Sequence, residues 1–570
     1  MSLPQYYIAS VPGCHESGLT GERLLSYSLF GIISRCQERG EKRWKMKILV
    51  ADQIADAGID VLRQYADVDV QPTITPEKLQ GLIGDYDALI VRSRTRVTND
   101  IIDAADRLHV IGRAGVGVDN IDVEAATRRG ILVVNSPEGN IVSTAELTIA
   151  MLLALVRHIP KANESLHAGV WDRSFKGREV RNKVLGVVGL GRVGTEVAEI
   201  TRGFHMNVIA YDPMISPSRA EKLGVQMVEL DRLLVDSDFV TIHVPLSPTT
   251  TGLIGISQLK QMKPTAMIIN CARGGIIDEE ALYEALEKDY IAGAAVDVFS
   301  KEPAQDNILL KSNKLIATPH LAASTIEAET SAGIDIADQV VEVLKGYPPK
   351  SPVNASKIAS EVMSVLSPYL KVGEIVGLVA AHLMEGHLES VSIHYQGDIS
   401  QETEPIKVAV LNGLLATLTD ERINMVNADI IVKNRGLRIA EEKIGICENY
   451  ANLLTVELDS SAGKTIVAGS SIRGRVHLTQ VNDFWLEIEP SENYMLFTEH
   501  KDRPGMIGVV GTIIGNTSVN ISQMQVSRGV QRGGRAMMVL CLDESLSEEC
   551  HQQILAIPDM YKAPIVKLAR

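Results

Sequence analysis

The sequence is poor in cysteine, and the six it has are badly spaced for chemistry. They stand at 14, 36, 271, 447, 541 and 550 of 570 residues, with no C-x-x-C pair and no His/Cys cluster at zinc spacing. A disulfide framework, a structural zinc site and a thioredoxin-type motif are thereby excluded as organising features. Positive charge is short as well: 56 Lys and Arg face 71 Asp and Glu, net −15, with no long basic run. That argues against nucleic acid or an anionic membrane as the main partner. No apolar stretch reaches the ~20 residues that span a bilayer; the best run, Leu147–Val156, stops at ten.

What is present is ordinary for a globular chain. Hydrophobic residues make up 45% and charged residues 22%, and a length of 570 suggests three or four domains at roughly 150 residues each. The expectation is a reduced, cytoplasmic, multidomain α/β protein. Residues 1–45 stand apart. They lack both strand–helix alternation and a signal-peptide layout, and their acidic residues argue against a transit peptide. Glu41-Lys42-Arg43-Trp44 can be encoded by a purine-rich run resembling a bacterial ribosome-binding site just before Met46. Residues 1–45 are therefore expected to be an unstructured extension: either translated leader sequence outside the native protein, with Met46 as the true start, or a native disordered tail.

From Met46 the pattern is regular. KILVA, DVDV, ALIVRS, LHVIGR and ILVVN alternate with helical segments, as in a parallel sheet with crossover helices. Residues 142–158 read as a helix too apolar for an ordinary surface, expected to pack on another domain or subunit. A second alternating series runs from VLGVVGL (184–190) to IATPH (316–320), and an amphipathic helix over 324–345 ends at Gly346-Tyr347-Pro348-Pro349. New strand and helix character fills 350–490, and the last 80 residues read as β-α-β-β-α-β.

Gly189-Leu190-Gly191-Arg192-Val193-Gly194 is G-x-G-x-x-G. Alone it is weak, but a buried-type strand enters it, a helix leaves it, and Asp212 ends the next strand. There the first glycine makes the turn, the second admits a pyrophosphate, and the third lets helix and strand pack closely. Asp212 is placed to accept from adenosine ribose hydroxyls and to repel a 2′-phosphate, so the cofactor expected is NAD, not NADP. Three further segments end strands of the same series: Asn270-Cys271-Ala272-Arg273, Asp297 to Pro303, and Thr318-Pro319-His320. An arginine, a carboxylate and a histidine suit oxidation of a 2-hydroxy acid. The guanidinium holds the substrate carboxylate, the imidazole takes the hydroxyl proton, and the acid fixes the ring.

GLGRVG, NCARGGIIDE, AAVDVFSKEP and PHLAAST together resemble the D-2-hydroxyacid dehydrogenase family, and the likeness to its long forms covers 46–570. The resemblance implies a flavodoxin-like substrate domain (46–142 plus 322–346) and a Rossmann NAD domain (143–321), both doubly wound parallel sheets. An α+β intervening domain (350–490) and a C-terminal βαββαβ ACT domain (493–570) would follow. It implies Arg273, Glu302 and His320 as catalytic residues. Cofactor contacts would come from Gly189, Gly191, Arg192, Val193, Gly194, Asp212, His243, Val244, Pro245, Cys271, Ala272 and Asp297, with Asp297 on the nicotinamide carboxamide. Substrate would meet Arg92, Ser93, Arg94, Val116 and Gly117, with Arg157 reaching in from a neighbouring subunit of a homodimer or homotetramer. Arg113 is a further cleft-facing cation. The small-molecule substrate implied is 3-phospho-D-glycerate, oxidised to 3-phosphohydroxypyruvate at the entry to L-serine synthesis.

In the tail, His500, Asp502 and Asn520 match positions that hold L-serine in related enzymes, so feedback by serine is implied. Lys433, Arg435, Arg473 and Arg475 are candidates for an anion site, or else solvated charges. Two other readings remain open on the sequence alone. One is an unphosphorylated substrate such as glycerate or 2-hydroxyglutarate; the other is an NAD-binding regulator resembling the C-terminal-binding corepressors.

Overall fold

The computed structural model describes residues 46–358, 360–416, 423–490, 493–529 and 533–568. The expectation about residues 1–45 therefore lies outside the described residues.

Strands β1 (Lys47–Val50), β2 (Asp67–Val70), β3 (Ala88–Val91), β4 (Val110–Arg113) and β5 (Leu132–Asn135) form an all-parallel sheet in the order β2-β1-β3-β4-β5. Its inner strands are short, continuous apolar runs because both faces are covered by helices. One covering helix, Ile326–Leu344, comes from far along the chain. Thr325 caps it through its side-chain oxygen, and Ile336 and Val340 press on Gly112 of β4.

A second parallel sheet holds β6 (Val184–Val188), β7 (Asn207–Tyr211), β8 (Gln226–Met227), β9 (Phe239–Ile242), β10 (Met267–Asn270), β11 (Gly293–Val296) and β12 (Leu315–Ala317). Its order is β12-β11-β10-β9-β6-β7-β8. The chain winds outward from β6 through β7 and β8, then crosses back to β9, which opens a crevice at the carboxyl ends of β6 and β9. The apolar helix Ile141–Val156 lies against this sheet, with Ile149, Leu152 and Leu155 packed among Leu185, Val187 and Val197.

A third, six-stranded sheet runs β14-β13-β15-β16-β17-β18: β13 (Leu388–Gly397), β14 (Arg438–Ile444), β15 (Asn452–Ser460), β16 (Gly463–Ile472), β17 (Arg475–Val481) and β18 (Phe484–Ile488). It is antiparallel except for the β13–β14 pair. Helices Ser360–Leu383 and Glu404–Leu415 pack on one another, and the first also packs on β16. Val362–Leu383, with a mean hydropathy of 1.5, is the one described helix long and apolar enough to cross a membrane by length and composition. That corrects the ranking of Leu147–Val156 as the best candidate. Pro368, Lys371 and Glu374 break the apolar run in sequence, so a search for uninterrupted stretches passes over it. Half of the segment is buried inside the protein, as a core helix would be.

The last sheet, β20-β21-β19-β22, contains β19 (Tyr494–Lys501), β20 (Ile521–Arg528), β21 (Arg535–Leu542) and β22 (Met560–Lys562), and β23 (Ile565–Lys567) also pairs with β19. Helices Met506–Gly515 and Glu548–Leu555 complete the β-α-β-β-α-β order read in the sequence. The four described cysteines form no disulfide with one another.

Candidate active site

Every proposed cofactor residue lies beyond the carboxyl end of a strand in the second sheet. Gly189–Gly194 come after β6, Asp212 after β7, His243–Pro245 after β9, Cys271 and Ala272 after β10, and Asp297 after β11. The glycine turn fits a dinucleotide on geometric grounds. Gly189 has φ +95, and a Cβ there would meet the His243 carbonyl oxygen at 2.7 Å; one on Gly194 would meet the Gly189 carbonyl oxygen at 2.0 Å. A Cβ on Gly191 would meet nothing, so that side is open. The helix Arg192–Gly203 begins there with no side-chain cap, leaving its first N–H groups for an anion. Asp212 accepts from the N–H groups of Leu190 and Met214, which holds it at the lip with lone pairs to spare. Arg192, a residue of that open turn, meets Glu138 at 3.5 Å.

His243 hydrogen-bonds Thr241 at 2.9 Å, and burial pushes its pKa down to about 3, which keeps the ring neutral. Burial pushes the Cys271 thiol up to about 12, so it is no nucleophile at neutral pH. Its Sγ lies 3.5 Å from Met151.

The catalytic candidates converge. His320 Nδ1 and Glu302 Oε2 are 2.8 Å apart, and the other Glu302 oxygen accepts from the Phe299 N–H at 3.1 Å. An ionised carboxylate only accepts, so Nδ1 carries the proton and the lone pair is left on Nε2. Partial burial raises the Glu302 carboxyl, but His320, the Phe299 N–H and nearby Arg273 together outweigh it and hold the group below its ordinary value. Arg273 stands just past β10, in a loop braced by the Asn270 side chain, which accepts from the Ala272 N–H and donates to the Arg273 carbonyl. The next residue, Gly274, has no room for a side chain: a Cβ would fall 2.0 Å from the Phe299 carbonyl carbon, on the segment that leads to Glu302.

His320 sits at φ +56, in the left-handed region. Asp297 holds it there. Fully buried, Asp297 accepts from the Thr318 hydroxyl at 2.6 Å and from the N–H groups of Leu321 and Ala322 at 2.7 and 2.9 Å. Its carbonyl accepts from the His320 N–H at 2.8 Å. Both carboxylate oxygens are thus engaged with the histidine turn, a bracing role that the spacing of the sequence did not reveal.

On the first sheet, half-buried Arg113 ends β4, with a packed Nε that has no hydrogen-bond partner. Burial first, then the neighbouring Arg273 and Arg92, push its pKa down to about 10. Arg273 and Arg92 each lie near enough to repel Arg113, and two of the three border one loop: a Cβ on Gly115 would lie 1.9 Å from Arg113 Nη1 and one on Gly117 2.3 Å from Arg273 Nη2. Arg92 meets Glu329 at 3.1 Å, beside a recess of about 300 Å³ lined by Gln53, Ile54, Ala55 and Asp56. Arg273 meets the exposed Asp119 at 3.5 Å. Ser93 is exposed beside Arg92. Arg94, exposed, lies with its Nε on Asp52 at 3.2 Å and another nitrogen on the Ala51 carbonyl at 3.3 Å. Arg157 ends the helix Ile141–Val156, exposed and packed beside Gly177.

In the last sheet, buried His500 is on β19, Asp502 meets Arg528 at 3.3 Å, and Asn520 donates to Asp543 at 3.1 Å. No hydrogen bond joins these three to each other among the described residues. Arg475 meets Glu489 at 3.3 Å.

Residues 149–322 match the model of the D-isomer specific 2-hydroxyacid dehydrogenase NAD binding domain. Solved structures agree. A TT0316 protein from Thermus thermophilus is 31% identical, with a TM-score of 0.51 over 54% of this chain and 100% of that one. A glyoxylate reductase from Paecilomyes thermophila is 27% identical, with a TM-score of 0.51 over 54% and 98%. Fold and site define an NAD-dependent oxidoreductase of the 2-hydroxyacid dehydrogenase class. Within that class, residues 365–482 match the D-3-phosphoglycerate dehydrogenase intervening domain. A D-3-phosphoglycerate dehydrogenase of Synechocystis is 45% identical over 92% of this chain and 95% of its own length. One from Methanocaldococcus jannaschii is 43% identical over 92% and 100%. The chain belongs to the D-3-phosphoglycerate dehydrogenase family.

Proposed function

We propose that the cleft between the two parallel sheets oxidises 3-phospho-D-glycerate to 3-phosphohydroxypyruvate, the first step of L-serine synthesis. NAD, when bound, supplies the hydride acceptor. The protein does the rest. Arg273 holds the substrate carboxylate beside the hydroxyl, His320 takes the hydroxyl proton on Nε2, and Glu302 keeps Nδ1 protonated and stabilises the imidazolium that results. Asp212, the glycine turn and the uncapped helix behind it hold the dinucleotide, with the ribose bonds at Asp212 favouring NAD.

The observation that carries the substrate reading is that Arg113 and Arg273 border one loop, against Gly115 and Gly117, with Arg92 just past the neighbouring strand β3, so that like charges gather in a chain of net charge −15. A substrate with about three negative charges relieves that repulsion, and charge-assisted bonds worth ~1.5–3 kcal/mol each favour it over a bare hydroxy acid. Arg157 completes the phosphate site from a second subunit. Exposed Val142, Ile159, Leu166, Val170 and Trp171 support a homodimer or homotetramer through this region. The protein works in the cytoplasm, and L-serine acts as effector at an ACT domain through His500, Asp502 and Asn520.

The test is NADH formation with 3-phosphoglycerate, glycerate and 2-hydroxyglutarate as alternatives, with and without L-serine. A kcat/KM for 3-phosphoglycerate at least a hundredfold above the other two is expected; comparable values would overturn the substrate assignment. An absence of serine inhibition would overturn the effector assignment alone.

A further inference from the structure

We propose that Asn135 is a positioning residue for the substrate loop, and that Gln339 and Ser351 set its register from the segment leading into the intervening domain. The inference rests on the cleft being the site that oxidises 3-phosphoglycerate.

The loop after β4 is clamped from β5 at two successive carbonyls. The Ser136 N–H donates to the Gly115 carbonyl at 3.0 Å, and Asn135 Nδ2 donates to the Val116 carbonyl at 2.5 Å. In a trans peptide the carbonyl and the following N–H point in opposite directions. Fixing the Val116 carbonyl on Asn135 therefore turns the Gly117 N–H away from β5. Gly117 abuts the substrate-binding guanidinium: a Cβ there would lie 2.3 Å from Arg273 Nη2. A backbone donor beside Arg273 is oriented for the same carboxylate, and Asn135 sets its direction without touching the substrate.

Asn135 is itself held from outside the sheet. Gln339, buried on the helix Ile326–Leu344, donates to the Asn135 carbonyl at 2.9 Å and accepts from the Ser351 N–H at 2.8 Å. The Asn135 N–H donates to the Ser351 carbonyl at 3.3 Å. Beyond Ser351 the chain continues along β5 as an added antiparallel edge. Pro352 bridges Val134, the Val353 N–H reaches the Val133 carbonyl at 2.8 Å, and Asn354 accepts from the Val133 N–H at 2.8 Å. β5 is the outermost strand of its sheet, so its free edge is available for this augmentation. A displacement of 351–354 is thereby transmitted through Asn135 to the Val116–Gly117 peptide. Substrate affinity, more than the chemical step, is what the linker can tune.

The test uses the full chain. Asn135→Asp keeps the size but loses the donor, and Gln339→Glu keeps the acceptor for Ser351 but loses the donor to Asn135. Expected for Asn135→Asp is a KM for 3-phosphoglycerate at least tenfold higher, with kcat within threefold and NADH affinity by fluorescence titration unchanged. Gln339→Glu should move KM in the same direction, about threefold. Should Asn135→Asp fold poorly, Asn135→Ala carries the same expectation. A KM within twofold of the parent, or equal losses in kcat and kcat/KM, overturns the proposal. A parent enzyme that does not turn over 3-phosphoglycerate overturns the functional reading instead, and the two failures are distinguishable.

Discussion

Replacing Glu302 by glutamine isolates what the carboxylate does for the imidazole. The change preserves shape, and the oxygen that accepts from Phe299 can remain. It removes the charge facing the imidazolium that forms when His320 takes the substrate proton. Two unit charges about 4 Å apart at an effective dielectric of ~20 interact by ~4 kcal/mol. The side chains of His320 and Glu302 are 45% and 38% exposed, so solvent screening removes about half, leaving ~2 kcal/mol, or about thirtyfold in rate. A second effect adds to the first. The glutamine amide turned toward Nδ1 donates instead of accepting, so the ring favours the tautomer with its proton on Nε2, which cannot receive another. We expect kcat for 3-phosphoglycerate to fall by ~30- to 1,000-fold, with KM and NADH affinity within threefold of the parent. Steady-state NADH formation gives the first two quantities and fluorescence titration the third. A kcat reduced less than threefold would show that Glu302 does not organise the proton acceptor.

Gly194→Ala should lower the unfolding temperature and weaken NAD binding together, because its Cβ would overlap the Gly189 carbonyl; Gly191→Ala should leave thermal stability within a degree or two and weaken NAD at least tenfold, since its Cβ meets only open space. Arg113→Met removes a guanidinium that stays charged throughout the working pH range, and should raise KM for 3-phosphoglycerate ~50-fold at neutral pH while KM for NAD stays flat. Arg92→Ala should raise KM far more than it lowers kcat; an unchanged KM would refute its place on the phosphate. Glu329→Gln removes the partner that Arg92 must leave to bind substrate, and should lower KM about two- to fourfold, measured at low ionic strength where the pair is strongest.

The architecture was legible because parallel strands buried on both faces announce themselves as short apolar runs. The fingerprint GLGRVG is local, and local patterns survive in a sequence. Strand ends were legible for the same reason: NCAR, DVFSKEP and TPH each come directly after such a run, and the fold gathers the carboxyl ends of parallel strands on one edge of a sheet. Direction was not legible. Arg92 and Arg94 are two residues apart on one loop, yet one pairs with Glu329 and the other with Asp52, acids that arrive from distant parts of the chain. Nor did spacing disclose that Asp297 spends both oxygens on the turn 318–322. The Asn135–Val116 bond spans 19 residues and the Gln339–Asn135 bond 204, distances over which a single sequence carries no readable pattern.

The site then has a consistent electrostatic logic. Holding His320 in a left-handed conformation costs on the order of 1–3 kcal/mol, and the three hydrogen bonds to buried Asp297 over-determine the turn enough to sustain it. The imidazole therefore meets its substrate without a search over ring positions. Across the cleft the strain is of charge instead of backbone. Arg113 is half-buried near two other guanidiniums, Arg92 leans on Glu329 and Arg273 on Asp119. Those two acids are partly or largely exposed, so their hold is weak and easily exchanged. On the reading proposed above, an anion of about three charges would replace both and relieve the half-buried arginine at the same moment, whereas a monoanionic hydroxy acid would satisfy Arg273 and leave the Arg92–Arg113 repulsion standing. Selectivity for the phosphorylated substrate would then come from what the free site lacks, and would require no positive charge on the protein as a whole.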